Sequence, residues 1–261
     1  MTPKEAFDNT ILRSEKLLKL YGALLNERNR KPNKSWLDSF KGFMRWQHND
    51  SIKRVDTSDL LIVIKKDSNL EYSDFSRESL DDLLRSSLIL SVSALDRFIH
   101  EKVIKGIIRS LKAKELNREQ RDLVLPVSVF IDIAEKVSKH TSNKKRKKKS
   151  IRPANEIRNE IQDLLYKKPF QSWREIHYAF NLIGISIDKE IQRVNKLPNI
   201  ESIKKQMNEL AKKRNQIVHE GDLVRHERGG HTRLNKITYK YVQDSIGFLK
   251  NLVDTIEKIK P

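Results

Sequence analysis

The chain of 261 residues contains no cysteine, and this absence excludes several kinds of protein chemistry. Without thiols there is no disulfide framework, no cysteine-based zinc site and no cysteine nucleophile. A chain of this length can still bury one sizeable core, or one domain with an added subdomain. The fold must therefore be held together by apolar packing, and any catalytic group must come from another residue type.

Glycine and proline are also scarce, with eight glycines and seven prolines. Apolar residues recur at helical spacing, and capping boxes at Thr2–Glu5 and Asn117–Gln120 mark helix starts. We therefore predict an all-α fold, a helical bundle with long antiparallel helices and extra N-terminal helices. The predicted helices cover residues 2–29, 36–44, 76–111, a short helix after Asn117, 127–139, 157–165, 171–182, 188–195, 200–220 and 237–259. Residues 60–64 fit a strand or a buried helix, and we favour the helix.

Long apolar runs are missing as well. No segment approaches the roughly 20 apolar residues needed to cross a bilayer, and no N-terminal stretch resembles a secretory signal. We therefore expect a cytoplasmic protein without a membrane partner.

Positive charge is abundant, with a net charge of +18 and 34% charged residues. Such a balance favours binding to nucleic acid or another polyanion. The most concentrated run of basic residues, at positions 144–149, should bind along a phosphate backbone without recognising bases, because lysines act as point charges. Arg225 and Arg228 lie in a predicted basic flap over residues 221–234. Solvated loops are the alternative for both segments. The basic run consists of Lys144, Lys145, Arg146, Lys147, Lys148 and Lys149.

Arg214 lies in an arc of a predicted helix that is otherwise apolar at about 100° per residue. A guanidinium cannot lose its charge there, so it must meet an acidic group or a phosphate. Asn215 and His219 are four residues apart and share the flank of the same helix. A fixed cation, an amide and an imidazole are groups that a phosphodiester-cleaving site needs. The apolar residues of the arc are Met207, Leu210, Ala211, Ile217 and Val218.

A purely structural interpretation of these residues stays open. In it, Arg214 extends to the edge of the core and pairs with an acid. His219 then caps the helix C-terminus beside Gly221, where a cation meets the negative end of the helix dipole.

Three segments resemble HEPN domains of the RiboL-PSP-HEPN type. Arg214–Asp222 matches the family motif R-x4-6-H, in which a polar residue follows the arginine. Ser91–Ile99 resembles the family's earlier long helix, with Asp96 at its acidic position. Pro169–Gly184 is similar to a segment that often lies between those helices. Together the matches cover about residues 75–258 in order.

The rest of the chain belongs to no HEPN pattern. We therefore expect an N-terminal helical extension over residues 1–72 packed on the core, and a HEPN domain over residues 73–261. The HEPN domain should carry a basic insert at residues 140–152.

The resemblance implies a metal-independent endoribonuclease that works without a cofactor. It implies a homodimer with a composite active site, a role as a toxin or antiviral defence effector, and a regulatory or antitoxin partner. His219 would transfer protons, since the ordinary pKa of histidine is about 6.5. Arg214 would hold the phosphate or fix the geometry of the site, and Asn215 would orient the phosphate or His219. Asp96 would hold Arg214 in a bidentate pair. Asp222 completes the motif as a supporting residue.

Helix geometry limits how Arg214 and His219 can cooperate. They are about 140° apart around an ideal helix. Both can face one phosphate only if the last turn unwinds near Gly221 or a partner chain supplies one of them.

Two other functions remain open. One is a catalytically silent HEPN-like module that binds RNA or a protein partner. The other is a basic helical DNA-binding protein, although no base-reading helix-turn-helix pattern is apparent. A metal site at His219, Asp222, His226 and His231 is disfavoured, because the neighbouring arginines repel a dication.

Overall fold

The computed structural model describes residues 1–25, 34–47, 69–123, 153–194, 199–224 and 233–259, with positions 127, 130, 131, 134 and 135. Across these residues the protein is all-α, as predicted, and its only β-type pairing is an isolated bridge between Leu223 and Leu234. A short 3₁₀ turn spans Tyr72–Phe75. The helices are α1 Pro3–Leu25, α2 Lys34–Met44, α3 Arg77–Ala113, α4 Arg118–Arg121, α5 Pro153–Tyr166, α6 Trp173–Asn181, α7 Ile187–Val194, α8 Ile200–Glu220 and α9 Tyr239–Glu257.

Capping boxes place the starts of α1 and α4 where the sequence predicts them, whereas the starts at Lys34, Pro153, Trp173 and Tyr239 differ by two to four residues from those predicted. Before α1, the Glu5 amide donates to Thr2 Oγ1 at 3.1 Å and the Thr2 amide donates to Glu5 Oε2 at 2.7 Å. Before α4, Asn117 and Gln120 exchange the same pair of bonds at 2.7 and 3.0 Å. These reciprocal bonds satisfy amides that have no partner within the helix. Positions 127, 130, 131, 134 and 135 are also helical, as predicted for residues 127–139.

The apolar stripe of α3 is buried, as predicted. Its predicted members are completely buried, at intervals of three or four residues along somewhat more than four turns of the helix. They are Leu84, Leu88, Val92, Leu95 and Ile99.

One compact unit comprises Met1–Asn9, Val92–Asn215 and Phe248–Pro261. Phe7 and Phe98 meet edge to face in its core, with ring centroids 6.1 Å apart. Aromatic pairs in this geometry add about 0.5–1.5 kcal/mol to the burial of their area. Other buried side chains of this unit are Phe170, Trp173, Ile176, Phe180, Met207, Leu210, Leu252 and Ile256.

The second compact unit comprises Thr10–Ser91 and Gln216–Gly247. In it, α1 packs closely on α3 through two small buried residues. Ser14 Oγ donates to the carbonyl of Ser87 at 2.7 Å, and Ser87 Oγ donates to the carbonyl of Ser14 at 2.9 Å. Both hydroxyls are thus satisfied in a dry contact. The Tyr21 ring stacks near Tyr239, with centroids 6.3 Å apart.

The division predicted at residue 72 stays a prediction. Within the described ranges, no helix combines the length and apolar character that crossing a bilayer requires. The predicted helix over residues 60–64 and the predicted basic insert at 140–152 lie outside the described residues.

Candidate active site

The motif lies on the C-terminal half of α8. The first part of this helix is anchored by buried Met207, Leu210 and Ala211, as the apolar arc predicts. Further along the helix, the apolar side chains are more exposed. Ile217 is half-buried and Val218 is 44% exposed. The prediction of a buried arc is therefore right for the first half of the arc and wrong for Val218.

Arg214 is half-buried on α8, between these two parts of the arc. Its Nη1 donates to Asn215 Oδ1 at 3.1 Å. Its Nε is buried and has no acceptor among the described residues. A buried donor without a partner costs about 1–3 kcal/mol. An anionic oxygen would satisfy this donor with a charge-assisted hydrogen bond.

Asn215 and His219 are both exposed, one turn apart on α8. Asn215 uses its side-chain carbonyl to orient the guanidinium of Arg214. The helix continues through His219 to Glu220. The last turn is therefore intact at His219, and the separation of about 140° between Arg214 and His219 applies.

The chain turns sharply after α8. Gly221 and Asp222 have φ angles of +61° and +58°. Glycine adopts this region readily, whereas aspartate does so less often. The Asp222 amide donates to the Gln216 carbonyl at 2.9 Å, which closes the end of the helix directly after His219.

Asp222 is completely buried and forms an ion pair. Its Oδ2 accepts a bond from Arg85 Nε at 2.9 Å. Arg85 is itself buried, and it also donates to Asp82 Oδ1 and to the Asn235 carbonyl, each at 3.0 Å. The Asn235 amide in turn donates to the Asp222 carbonyl at 2.7 Å. Asp222 therefore supports the motif by fixing the backbone that follows His219.

Asp96 has different partners from the one predicted. Its Oδ1 accepts the Phe170 amide at 2.6 Å, and its Oδ2 accepts Gln171 Nε2 at 3.1 Å. No ion pair joins it to Arg214 within the described part of the chain. The predicted bidentate pair is therefore wrong, because both carboxylate oxygens are bound to the segment that precedes α6.

His100 holds the same segment from the next turn of α3. Its Nδ1 lies 2.8 Å from the Asp96 carbonyl, and its Nε2 lies 3.1 Å from the carbonyls of both Leu165 and Lys168. The ring packs on Phe170, with centroids 4.3 Å apart. Asp96 and His100 thus connect two of the three segments on which the family resemblance was based.

Arg85 and the role of Gln171 were not predicted from the sequence. A signal for Arg85 was present, because it follows Leu84 in the apolar stripe of α3, much as Arg214 interrupts the arc of α8. Its acidic partner could not be identified, since Asp222 lies 137 residues away along the chain.

The predicted nucleic-acid contacts at Lys144–Lys149, Arg225 and Arg228 lie outside the described residues, as do His226 and His231. Within the described ranges, no group of three or more histidine and acidic side chains is arranged to hold a metal ion.

A family model described as RiboL-PSP-HEPN matches residues 53–259 of this chain. The match begins before residue 75, where the sequence resemblance was expected to start, and it includes α3 to α9. No curated protein and no solved structure matches the chain.

Proposed function

Because the chain belongs to the RiboL-PSP-HEPN family, which is associated with nuclease-like functions on RNA, we propose that it is a metal-independent endoribonuclease. The active residues are Arg214, Asn215 and His219. The observation that carries the proposal is the buried Nε of Arg214, which has no acceptor among the described residues. Arg214 also begins the family motif, five residues before the exposed His219, and a guanidinium in this position suits the binding of a phosphate.

The reaction is an internal transfer at phosphorus. The ribose 2′-oxygen attacks the adjacent phosphate as its proton leaves, and the bond to the 5′-oxygen of the next nucleotide breaks as that oxygen gains a proton. The products are a 2′,3′-cyclic phosphate and a 5′-hydroxyl end. His219 carries out proton transfer, and Arg214 stabilises the negative charge on the crowded phosphorus. Asn215 holds the guanidinium in place.

A single chain holds an incomplete site, because Arg214 and His219 point about 140° apart on α8, and a second copy of the chain supplies the missing group. The proposed assembly is a homodimer in which two motifs meet across a two-fold axis. Exposed apolar side chains near the motif in sequence are suited to such a contact. They are Val218 at 44%, Leu223 at 41% and Leu234 at 43% exposure.

The proposed setting is a cytoplasmic toxin or antiviral effector. An unrestrained ribonuclease would damage the RNA of its own cell. A regulatory or antitoxin partner that covers the motif is therefore part of the proposal.

The direct test compares purified wild-type protein with His219→Ala and Arg214→Ala on total RNA and on defined transfer RNAs. Loss of the proton-transfer group should slow cleavage by about 10²–10⁴-fold. Loss of the guanidinium should slow it by about 10²–10³-fold. Cleavage by wild-type protein should persist in excess EDTA, and mapped products should carry 2′,3′-cyclic phosphate or 3′-phosphate ends.

Lys212→Ala provides a matched control, since it removes an exposed cation from the same helix. It should leave the cleavage rate nearly unchanged. Full activity of His219→Ala would overturn the proposal. RNA binding without any cleavage by wild-type protein would favour the silent RNA-binding module instead.

A further inference from the structure

A row of cations runs along the C-terminal half of α3, on residues outside the motif. Lys105, Arg109 and Lys112 are exposed at intervals of four and three residues, so they lie on one face of the helix. Arg158, from α5, lines the same surface cavity of about 350 Å³. Ile104 and Ile108 complete its lining. We call this feature the cationic groove.

Two ion pairs of the described residues lie beside the cationic groove. Arg158 Nη2 lies 3.3 Å from Glu101 Oε2, yet the Arg158 side chain remains 43% exposed. Lys102, on the preceding turn, donates to Glu257 Oε2 at 3.2 Å. Burial lowers the pKa of Lys102, and the charge of Arg109 lowers it further, against the attraction of Glu257.

The geometry suits a linear polyanion. Side chains three or four residues apart on a helix have Cβ atoms about 5–6 Å apart, so the groove presents cations at regular intervals along more than one turn. Ile104 is completely buried and Ile108 is half-buried, so these side chains form a floor and do not project as membrane anchors. Regularly spaced cations over an apolar floor favour a phosphate backbone over a lipid surface.

We propose that the cationic groove binds the phosphate backbone of the RNA substrate through Lys105, Arg109, Lys112 and Arg158. This inference rests on the proposed function in its choice of RNA as the polyanion. The groove contributes affinity and holds the strand, whereas the motif on α8 performs the reaction.

The test measures binding of full-length protein to a fluorescent single-stranded RNA in which every ribose is 2′-O-methylated. Such RNA lacks the attacking hydroxyl and cannot be cut, so binding is measured whether or not the protein is a nuclease. Fluorescence anisotropy over a series of KCl concentrations gives the Kd and its salt dependence. The triple variant Lys105→Gln/Arg109→Gln/Lys112→Gln should raise the Kd by about tenfold or more. It should reduce the slope of log K against log salt by about 2, since each phosphate contact on a single strand contributes about 0.7.

A matched control removes the same charge elsewhere. Arg13, Lys16 and Lys19 are exposed on α1, and Arg13→Gln/Lys16→Gln/Lys19→Gln changes the net charge equally. This control should retain near wild-type affinity, and Lys105→Arg/Lys112→Arg should do the same. Circular dichroism melting checks that each variant is folded.

Equal weakening by the two triple variants would overturn the proposal, because net charge alone would then explain the effect. Wild-type affinity in the groove variant would overturn it as well. Loss of binding to anionic phosphatidylserine vesicles with RNA binding intact would assign the groove to a membrane and refute the RNA site. If the wild-type protein cuts no RNA but the groove variant loses affinity for it, the groove stands and the proposed ribonuclease function fails.

Discussion

At the scale of single residues, two arginines that interrupt apolar stripes have different roles. Arg85 donates from Nε, Nη1 and Nη2 to three acceptors, which satisfies the buried guanidinium within the fold. Arg214 donates from Nη1 to Asn215, but its buried Nε has no acceptor among the described residues. A satisfied guanidinium stabilises the fold, whereas an incompletely satisfied one is available to a ligand. The same pattern in sequence therefore accompanies a fully bonded guanidinium at Arg85 and a partly bonded one at Arg214, for which we propose a phosphate-binding role.

Removing the charge of Asp222 should destabilise the protein. In Asp222→Asn, Arg85 keeps its charge but loses its buried counter-ion. Breaking a buried pair by removing one partner costs roughly 3–5 kcal/mol. Asparagine tolerates the positive φ of this position, so the change tests the charge and not the backbone. Urea unfolding followed by circular dichroism gives the free energy of unfolding.

Asp82→Asn is the control, because Asp82 contacts the same arginine with a side chain that is 72% exposed. It should change the free energy of unfolding by less than about 1 kcal/mol. Equal effects of the two variants would show that burial does not set the strength of the Arg85–Asp222 pair.

At the scale of the helices, α3 organises the segment that leads into α6. Asp96 and His100 lie one turn apart on α3 and bind the chain on both sides of Pro169. Six residues after His100, Gly106 lets the segment after α6 approach the α3 backbone. A Cβ at Gly106 would lie 2.6 Å from Ile183 Cγ2, far inside van der Waals contact. Glycine is needed here for space, although it lowers helix propensity.

Gly106→Ala should therefore destabilise the protein by about 1–3 kcal/mol, which is the usual cost of overpacking. The clash lies with the Cγ2 methyl of Ile183. Adding Ile183→Ala should recover part of the loss, with a coupling energy of about 0.5–3 kcal/mol in a double-mutant cycle. Thermal or urea unfolding of the four proteins measures it.

Gly247→Ala is the matched control, since a Cβ there meets nothing within 4 Å on helix α9. Higher helix propensity should make this variant more stable by up to about 1 kcal/mol. A stabilising Gly106→Ala would contradict the close approach of Ile183.

At the scale of the whole molecule, the proposed active site needs two chains. Helix α8 is intact through His219, so Arg214 and His219 point about 140° apart on one chain. A site assembled from Arg214 of one chain and His219 of another avoids this constraint. The exposed apolar residues after the motif provide a surface for such a contact.

Mixing two inactive variants tests this arrangement. Arg214→Ala and His219→Ala chains, unfolded and refolded together, should recover about a quarter of the wild-type cleavage rate. Random pairing makes half of the dimers mixed, and each mixed dimer has one of its two sites intact. Light scattering should show a dimer for each protein and for the mixture.

Refolding each variant alone is the control and should restore no activity. A dimeric mixture that stays inactive would mean that Arg214 and His219 act within one chain. A monomeric wild-type protein that cleaves RNA would refute the composite site altogether.

Much of the fold could be read from sequence because helix signals are local. The stripe of α3 and the capping boxes at Thr2 and Asn117 depend on residues three or four positions apart, and the structure confirms them. The family resemblance could also be recognised from the sequence, since the R-x4-6-H motif occupies one short segment of α8. The burial of Val218 was predicted wrongly, because periodicity shows which residues share a face but not whether another element covers that face.

Sequence by itself determined the helical class, the starts of α1 and α4 and the family, because each depends on short-range spacing or on residue identity. Only the tertiary structure decided which partners the charged groups have. Asp96 binds Phe170, 74 residues away, instead of Arg214, and Asp222 binds Arg85, 137 residues away. It also left Arg214 with a buried donor that lacks an acceptor among the described residues. Such pairings depend on how distant segments pack, and the periodicity of one helix carries no information about the side chains that another brings to it.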